Sequence, residues 1–300
     1  MKNLILVMLM VFAFFSCAKS TEKKTSSQDE KLKVLTVNYP LFYFAERIGG
    51  ELIDLNYVIP DDVDPAFWTP DESALMQYQE ADVIFINGAD YAKWINNVSL
   101  ASSRIVNTSS SFEKDMIKLK TTSSHSHGPD GEHEHEDRAF TVWLDLELAV
   151  QQAESIRAHL AKKIPDQSVL IDQNFEKLKQ DLLFLDNELL KAGEKYDNQI
   201  IIGSHPVYQY LARAYNLNME SVHFEPHESP SKSQWHTLDH MIKENGASIM
   251  LWENQPSAQN ETELNNRKMK TIVFNPCGNR PSTGDFLSIM RENTKAILNQ

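Results

Sequence analysis

IDQNFEKLKQDLLFLDNELL, residues 171–190, organises the reading of this chain. Ile171, Phe175, Leu178, Leu182, Leu185 and Leu189 follow one another at spacings of 4, 3, 4, 3 and 4. That rhythm lays them on one stripe of an α-helix about five turns long, and such a stripe packs into a core. Pro165 separates this helix from a preceding helical pattern, and Gly193 lies near its end, so the spine is predicted over residues 166–195. Short β-type runs flank it on both sides. Upstream they are Lys33–Asn38, Leu55–Ile59 and Asp82–Ile86; downstream they are Gln199–Gly203, Ala247–Leu251 and Thr271–Asn275. Most lack strict alternation, as expected of strands covered on both faces. Helical patterns fall between them at Leu41–Gly50, Asp71–Glu80, Leu146–Lys163, Pro206–Tyr215, Ser231–Asn245 and Gly284–Leu298. The expected fold is therefore α/β: two lobes with mostly parallel sheets, residues 32–165 and 196–300, joined by one long spine helix. A stiff spine would limit hinge motion between the lobes.

The N-terminus carries its own signal. Lys2 is followed by an unbroken apolar run from Leu4 to Phe15, the length of a secretory h-region and too short to span a bilayer. The run ends in Phe14-Phe15-Ser16-Cys17, which resembles a bacterial lipoprotein cleavage site, although Phe14 departs from the usual Leu. Residues 1–17 thus read as a signal segment, with Cys17 as the acylated residue of the mature chain. Residues 18–31 form a polar tether. The expected location is the cell envelope, exported and lipid-anchored on the periplasmic or cell-surface side of a membrane. With Cys17 acylated, Cys277 has no cysteine to pair with, so the fold must rest on its core. The net charge of −13 argues against nucleic acid as a partner and suits a cation-tolerant surface.

Residues 121–137 read TTSSHSHGPDGEHEHED. Gly128, Pro129 and Gly131 interrupt any helix or strand, so the tract reads as a solvated loop. His125, His127, His133 and His135 alternate there with small and acidic residues. Imidazole is the commonest protein ligand for zinc and related metals, so metal capture is the expected role of the loop.

Several segments together resemble the solute-binding lipoproteins of zinc- and manganese-type ABC importers. VLTVNYPLFYFAERIGGELIDLNYVIPDDVDP (34–65), EADVIFINGADYAKWI (80–95), TVWLDLELAV (141–150), GSHPVYQYLARAYNL (203–217), ASIMLWENQ (247–255), TIVFNPCG (271–278) and GDFLSIMREN (284–293) follow in family order. The resemblance implies one metal held between two lobes by three histidines and a carboxylate. Matched position by position, most of that set is replaced. Ala66 stands after Asp64-Pro65 and Thr141 before Val142-Trp143-Leu144-Asp145, where the family has histidine. Asn275 stands before Pro276, where it has a carboxylate. His205 is retained. A closed zinc site wants about four N, S or O ligands. Candidate substitutes are Glu253 after the ASIML strand, Cys277, and His223, Glu225, His227 and Glu228 of the VHFEPHESPS loop. The proposed metal set is His205, Glu253, Asn275, His227 and Cys277. Trp68 and Trp143 flank the vacated positions, where they either fill the space or line a pocket. His159, His236 and His240 sit on predicted helices as packing or surface residues.

No H-E-x-x-H, P-loop, G-x-G-x-x-G or G-x-S-x-G motif occurs, and no enzymatic activity or organic cofactor is expected. The resemblance implies a monomeric extracytoplasmic substrate-binding protein that captures a divalent metal and delivers it to an ABC permease. Zinc is favoured over manganese on imidazole content. The competing expectation is a diverged receptor of the same fold that binds a non-metal ligand or a partner protein.

Overall fold

A computed structural model describes residues 31–119, 138–224 and 228–299. Residues 32–300 form one compact unit. Its first half runs β1 (Leu32–Thr36), α1 (Tyr39–Gly49), β2 (Ile53–Asn56), α2 (Glu72–Glu80), β3 (Val83–Ile86), β4 (Ile105–Asn107) and α3 (Leu146–Lys163). The spine α4 (Ser168–Lys195) follows. The second half runs β5 (Ile200–Gly203), α5 (Gln209–Ala214), β6 (Asn218–Ser221), α6 (Lys232–Asn245), β7 (Ile249–Trp252), α7 (Ala258–Asn266), β8 (Lys270–Val273) and α8 (Phe286–Asn299). Each half builds a four-stranded, all-parallel sheet, ordered β2-β1-β3-β4 and β6-β5-β7-β8. The two sheets have the same topology. In each the first strand lies inside, so the chain winds outward in both directions from a switch point, β1/β3 in one lobe and β5/β7 in the other.

The spine behaves as its spacing requires. Ile171, Phe175, Leu178, Leu182, Leu185 and Leu189 are all buried, and α4 packs against α1, α3 and α8. Helix α8 belongs in sequence to the second half, yet it also packs on α1, where Phe286 meets the Phe44 ring edge-on at 5.3 Å. One apolar core therefore runs through both lobes. At Gly193 the spine passes so near the chain after α5 that an added Cβ would lie 2.2 Å from the Tyr215 carbonyl oxygen. The glycine is a packing requirement there rather than a helix stop, since α4 continues to Lys195.

Three elements were not expected from sequence. β4 and β6 are short edge strands with no fully buried residue. In α7, AQNETELNN, only Asn260 and Leu264 are buried, so no apolar stripe announces it. Strand and helix ends also shift by a few residues. The shifts reach three residues, at the end of β2, expected at Ile59 but falling at Asn56, and at the start of α5, expected at Pro206 but falling at Gln209. The chain there stays sheet-like one residue past β5, with Ser204 N–H donating to Leu251 O (2.8 Å) and Phe224 N–H to Ser204 O (2.7 Å), and then turns through Pro206–Tyr208.

Candidate metal site

Open α/β sheets bind ligands beyond the carboxyl ends of their strands at the switch point. In the first lobe that position is filled. Asn38, just past β1, caps α1 by accepting from Leu41 N–H (3.1 Å) and donates to Asn87 Oδ1, just past β3, at 3.3 Å. The Gln152 amide closes the plug by donating to Asn87 Oδ1, Thr108 Oγ1 and Ser109 Oγ at 3.1–3.3 Å. Among the described residues the second switch point is open to the cleft. The β5–β7 register pairs Gly203 with Leu251, and two residues further on stand His205 and Glu253. They face each other, with His205 Nδ1 3.5 Å from Glu253 Oε1. The edge of a tetrahedron with zinc–ligand bonds of about 2.0–2.1 Å is roughly 3.4 Å, so one ion could meet both atoms. Both side chains are about one-fifth exposed, at 23% and 20%, and reachable from the cleft.

That cleft lies between the lobes, with a volume of about 690 Å³. The first lobe contributes Asp61, Asp62, Asp64, Tyr91, Phe140 and Trp143. The second contributes His205, Glu253, Asn254, Asn275 and Arg280. Among the described residues no three His, Cys, Asp or Glu side chains converge as a preformed metal cluster.

The remaining sequence candidates divide. Asn275 lines the cleft, but its side-chain oxygen accepts from Cys277 N–H (2.7 Å) and its amide nitrogen donates to Asn254 Oδ1 (3.1 Å). It serves as a turn former that fixes the chain after β8. Cys277 does not line the cleft: it is 2% exposed, and burial, with Asp285 adding to it, pushes its thiol up to about 12. The expectation of a thiolate presented to metal is corrected accordingly; Cys277 is packed. Thr141 lines the cleft and donates its hydroxyl across it to Val207 O at 2.5 Å. Ala66 is buried in a turn whose backbone N–H donates to Asp64 Oδ1 (2.9 Å). The neighbouring tryptophans have different fates. Trp143 is buried along the cleft wall and donates Nε1–H to Pro276 O (2.7 Å). Trp68 does not reach the cleft and packs edge-on against Trp94. His223 is exposed and meets the His205 ring edge-on at 5.8 Å, and Glu228 is exposed. His159 lies on α3, and His236 and His240 on α6. Ser204 is fully buried with its hydroxyl unpaired, so it forms no nucleophile–base pair with His205. His227, Glu225, the 121–137 loop with His125, His127, His133 and His135, and Cys17 lie outside the described residues.

Sequence reasoning missed Asn279. Its Nδ2 donates to Pro60 O (2.7 Å) and Val63 O (2.8 Å), while its Oδ1 accepts from Tyr57 Oη–H (2.8 Å) and Arg280 N–H (2.7 Å). Burial drives the Tyr57 phenol pKa upward, so it remains a protonated donor. Tyr39 N–H to Gly278 O (3.0 Å) adds a second tie. The loop after β8 thus buckles the second lobe onto the first beside the cleft. Nothing in local sequence marks these bonds, because their acceptors lie more than two hundred residues away.

Two α/β lobes of matching topology, braced by a long helix and opening on a shared cleft, define the architecture of a solute-binding protein. The chain belongs to the family described as zinc-uptake complex component A, periplasmic (ZnuA), whose model matches residues 34–300. It is similar to the high-affinity zinc uptake system protein ZnuA of Bacillus subtilis, 26% identical over 296 residues, covering 93% of this chain and 90% of that one. It is also 24% identical over 308 residues to the zinc-binding lipoprotein AdcA of Streptococcus pneumoniae; this takes in 99% of the chain but spans only 60% of that relative's length. Among solved structures, the metal-dependent lipoprotein YcdH of Bacillus subtilis matches with a TM-score of 0.75 at 22% identity, covering 90% of this chain and 99% of that one. The Zn(II)-bound ZnuA-like domain of Streptococcus pneumoniae AdcA matches equally well, with a TM-score of 0.75, 22% identity, and 90% and 98% coverage. Among the described residues no helix is long and apolar enough to cross a membrane.

Proposed function

We propose that this chain is the extracytoplasmic substrate-binding protein of an ABC importer, lipid-anchored through Cys17. It captures a divalent metal, zinc in preference to manganese, and passes it unchanged to a membrane permease. The observation that carries this reading is the His205–Glu253 pair, two donor atoms 3.5 Å apart at the open switch point of the second lobe. An imidazole with a carboxylate suits zinc better than manganese, which takes oxygen donors. Family membership and the zinc-binding relatives support the same choice. The interlobe bonds of Asn279, Gly278, Trp143 and Thr141 favour capture with little rigid-body closure. The loop 121–137 collects zinc for the cleft.

The test is zinc calorimetry on chelator-stripped protein, beside His205→Ala and a variant with His125, His127, His133 and His135 all changed to Gln. One tight equivalent that survives loss of the loop histidines and disappears in His205→Ala is the expected result. Binding that vanishes with the loop histidines and is untouched by His205→Ala overturns the cleft assignment.

A further inference from the structure

Three features of the cleft are unexplained by capture of a bare ion. The first is size. An ion with a shell of six waters occupies roughly 180 Å³ at about 30 Å³ per water, whereas the cleft measures about 690 Å³. That value lies within the range of roughly 300–1,000 Å³ typical of sites for small organic molecules. The second is the aromatic wall. Tyr91, Phe140 and Trp143 line one side, Tyr91 meeting Phe140 edge-on at 5.4 Å and Trp143 at 5.7 Å. Phe67 extends the wall to the rim, where it is 72% exposed. A hydrated cation gains nothing from such a surface.

The third feature is Arg280, the single Lys or Arg among the described residues that line the cleft. Its guanidinium lies over the rings of Phe42 (5.0 Å) and Tyr57 (5.1 Å), and its backbone N–H is held by Asn279 Oδ1. It makes no ion pair with a carboxylate among the described residues, even though Asp61 and Asp62 line the same cleft. A guanidinium fixed by two rings and a tethered backbone is pre-organised for an anion, and its planar fork suits a carboxylate. A positive group in the wall of a cation site is unfavourable unless the cargo also brings negative charge.

We propose that the cleft takes its metal as a complex with a small carboxylate-bearing chelator. His205 and Glu253 supply two metal donors and the chelator completes the coordination. The chelator's carboxylate pairs with Arg280, and its organic body lies on the Phe140–Trp143 wall. The inference rests on the metal-capture reading above and names its substrate class.

The probes are zinc alone, zinc with L-histidine, zinc with citrate, and each chelator without metal, given to stripped protein carrying and lacking the loop histidines. Native mass spectrometry reads the bound species, and titrations at buffered free zinc read affinity. The expected result is a species with one zinc and one chelator, and a dissociation constant in free zinc at least about tenfold tighter with one of the chelators, a gain of about 1.4 kcal/mol. Arg280→Gln should lose that gain while binding zinc alone at least as tightly as the parent, since it removes a positive charge from the cleft wall; Arg280→Lys should recover part of the gain. Zinc bound equally tightly with or without chelator, with no ternary species, overturns this proposal and leaves metal capture intact. A chelator that binds as well without zinc also overturns it. Absence of cleft zinc under every condition removes the metal-capture reading itself.

Discussion

Asn279→Ala should unbuckle the lobes, and the structure sets the size of the effect. The substitution deletes the bonds to Pro60 O and Val63 O and the acceptor for Tyr57 Oη–H, all at 2.7–2.8 Å. The Arg280 N–H loses the same acceptor but can turn to water. A neutral hydrogen bond contributes about 1 kcal/mol net, so three amount to roughly 3 kcal/mol. For a unit of this size each kcal/mol moves Tm by about 2–3 °C, which gives a fall of roughly 6–9 °C. Differential scanning calorimetry on metal-free protein measures it. Tyr57→Phe removes only one of the bonds and should cost about 1 kcal/mol, or roughly 2–3 °C. Asn279→Asp keeps the acceptor but turns a carboxylate oxygen toward two carbonyls, so it should be at least as damaging as alanine. Hydrogen exchange at Tyr39 N–H, bonded across the lobes to Gly278 O, should quicken in Asn279→Ala. A drop below about 2 °C in Asn279→Ala, with Tyr39 exchange unchanged, would mean that Asn279 is not a structural tie and that the lobes are held by the apolar core and the bonds of Trp143, Thr141 and Gly278.

Other outcomes follow from the same packing. Gly193→Ala gains about 1 kcal/mol of helix propensity. It nevertheless drives a Cβ to 2.2 Å from Tyr215 O, so urea denaturation should show a net loss of roughly 1–3 kcal/mol, where a stabilised protein would contradict the close approach. Burial raises the Asp186 pKa, against the hydrogen bond it accepts from Tyr215. The folded state then holds that proton more tightly than the unfolded state, so the group's contribution falls as pH rises above its unfolded value. Asp186→Asn should therefore leave stability at pH 7 unchanged or raised, and the advantage should fade near pH 4; a large loss at pH 7 refutes this. For Cys277 the thiol is held up to about 12, chiefly by burial. Iodoacetamide should label it only on unfolding in protein starting at residue 18, and alkaline stability should decline from about pH 9 upward, as the unfolded thiol ionises first.

What could be read from sequence follows where burial imposes a period. The α4 stripe, the covered strands of β1, β3, β5 and β7, and the α3 limits at Leu146 and Lys163 all have side chains pressed into one core, so spacing alone reveals them. Strands β4 and β6 and helix α7 carry no such record, because each buries little. The candidate site divides the same way. His205 could be proposed from the resemblance, as the histidine retained in GSHPVYQYLARAYNL, and Glu253 because it ends a readable strand. Cys277, in TIVFNPCG, was a further candidate, but its orientation depends on a turn with φ +56° that packs it inward.

The sequence by itself determined the two-lobed α/β plan and its long brace, because hydrophobic period is a property of contiguous residues. Only the tertiary structure decided which lobe's switch point is open, that His205 and Glu253 meet in register, and that Asn279 and Arg280 belong to the cleft. Those facts rest on strand pairing and hydrogen bonds between residues far apart in the chain, which leave no periodic trace in sequence.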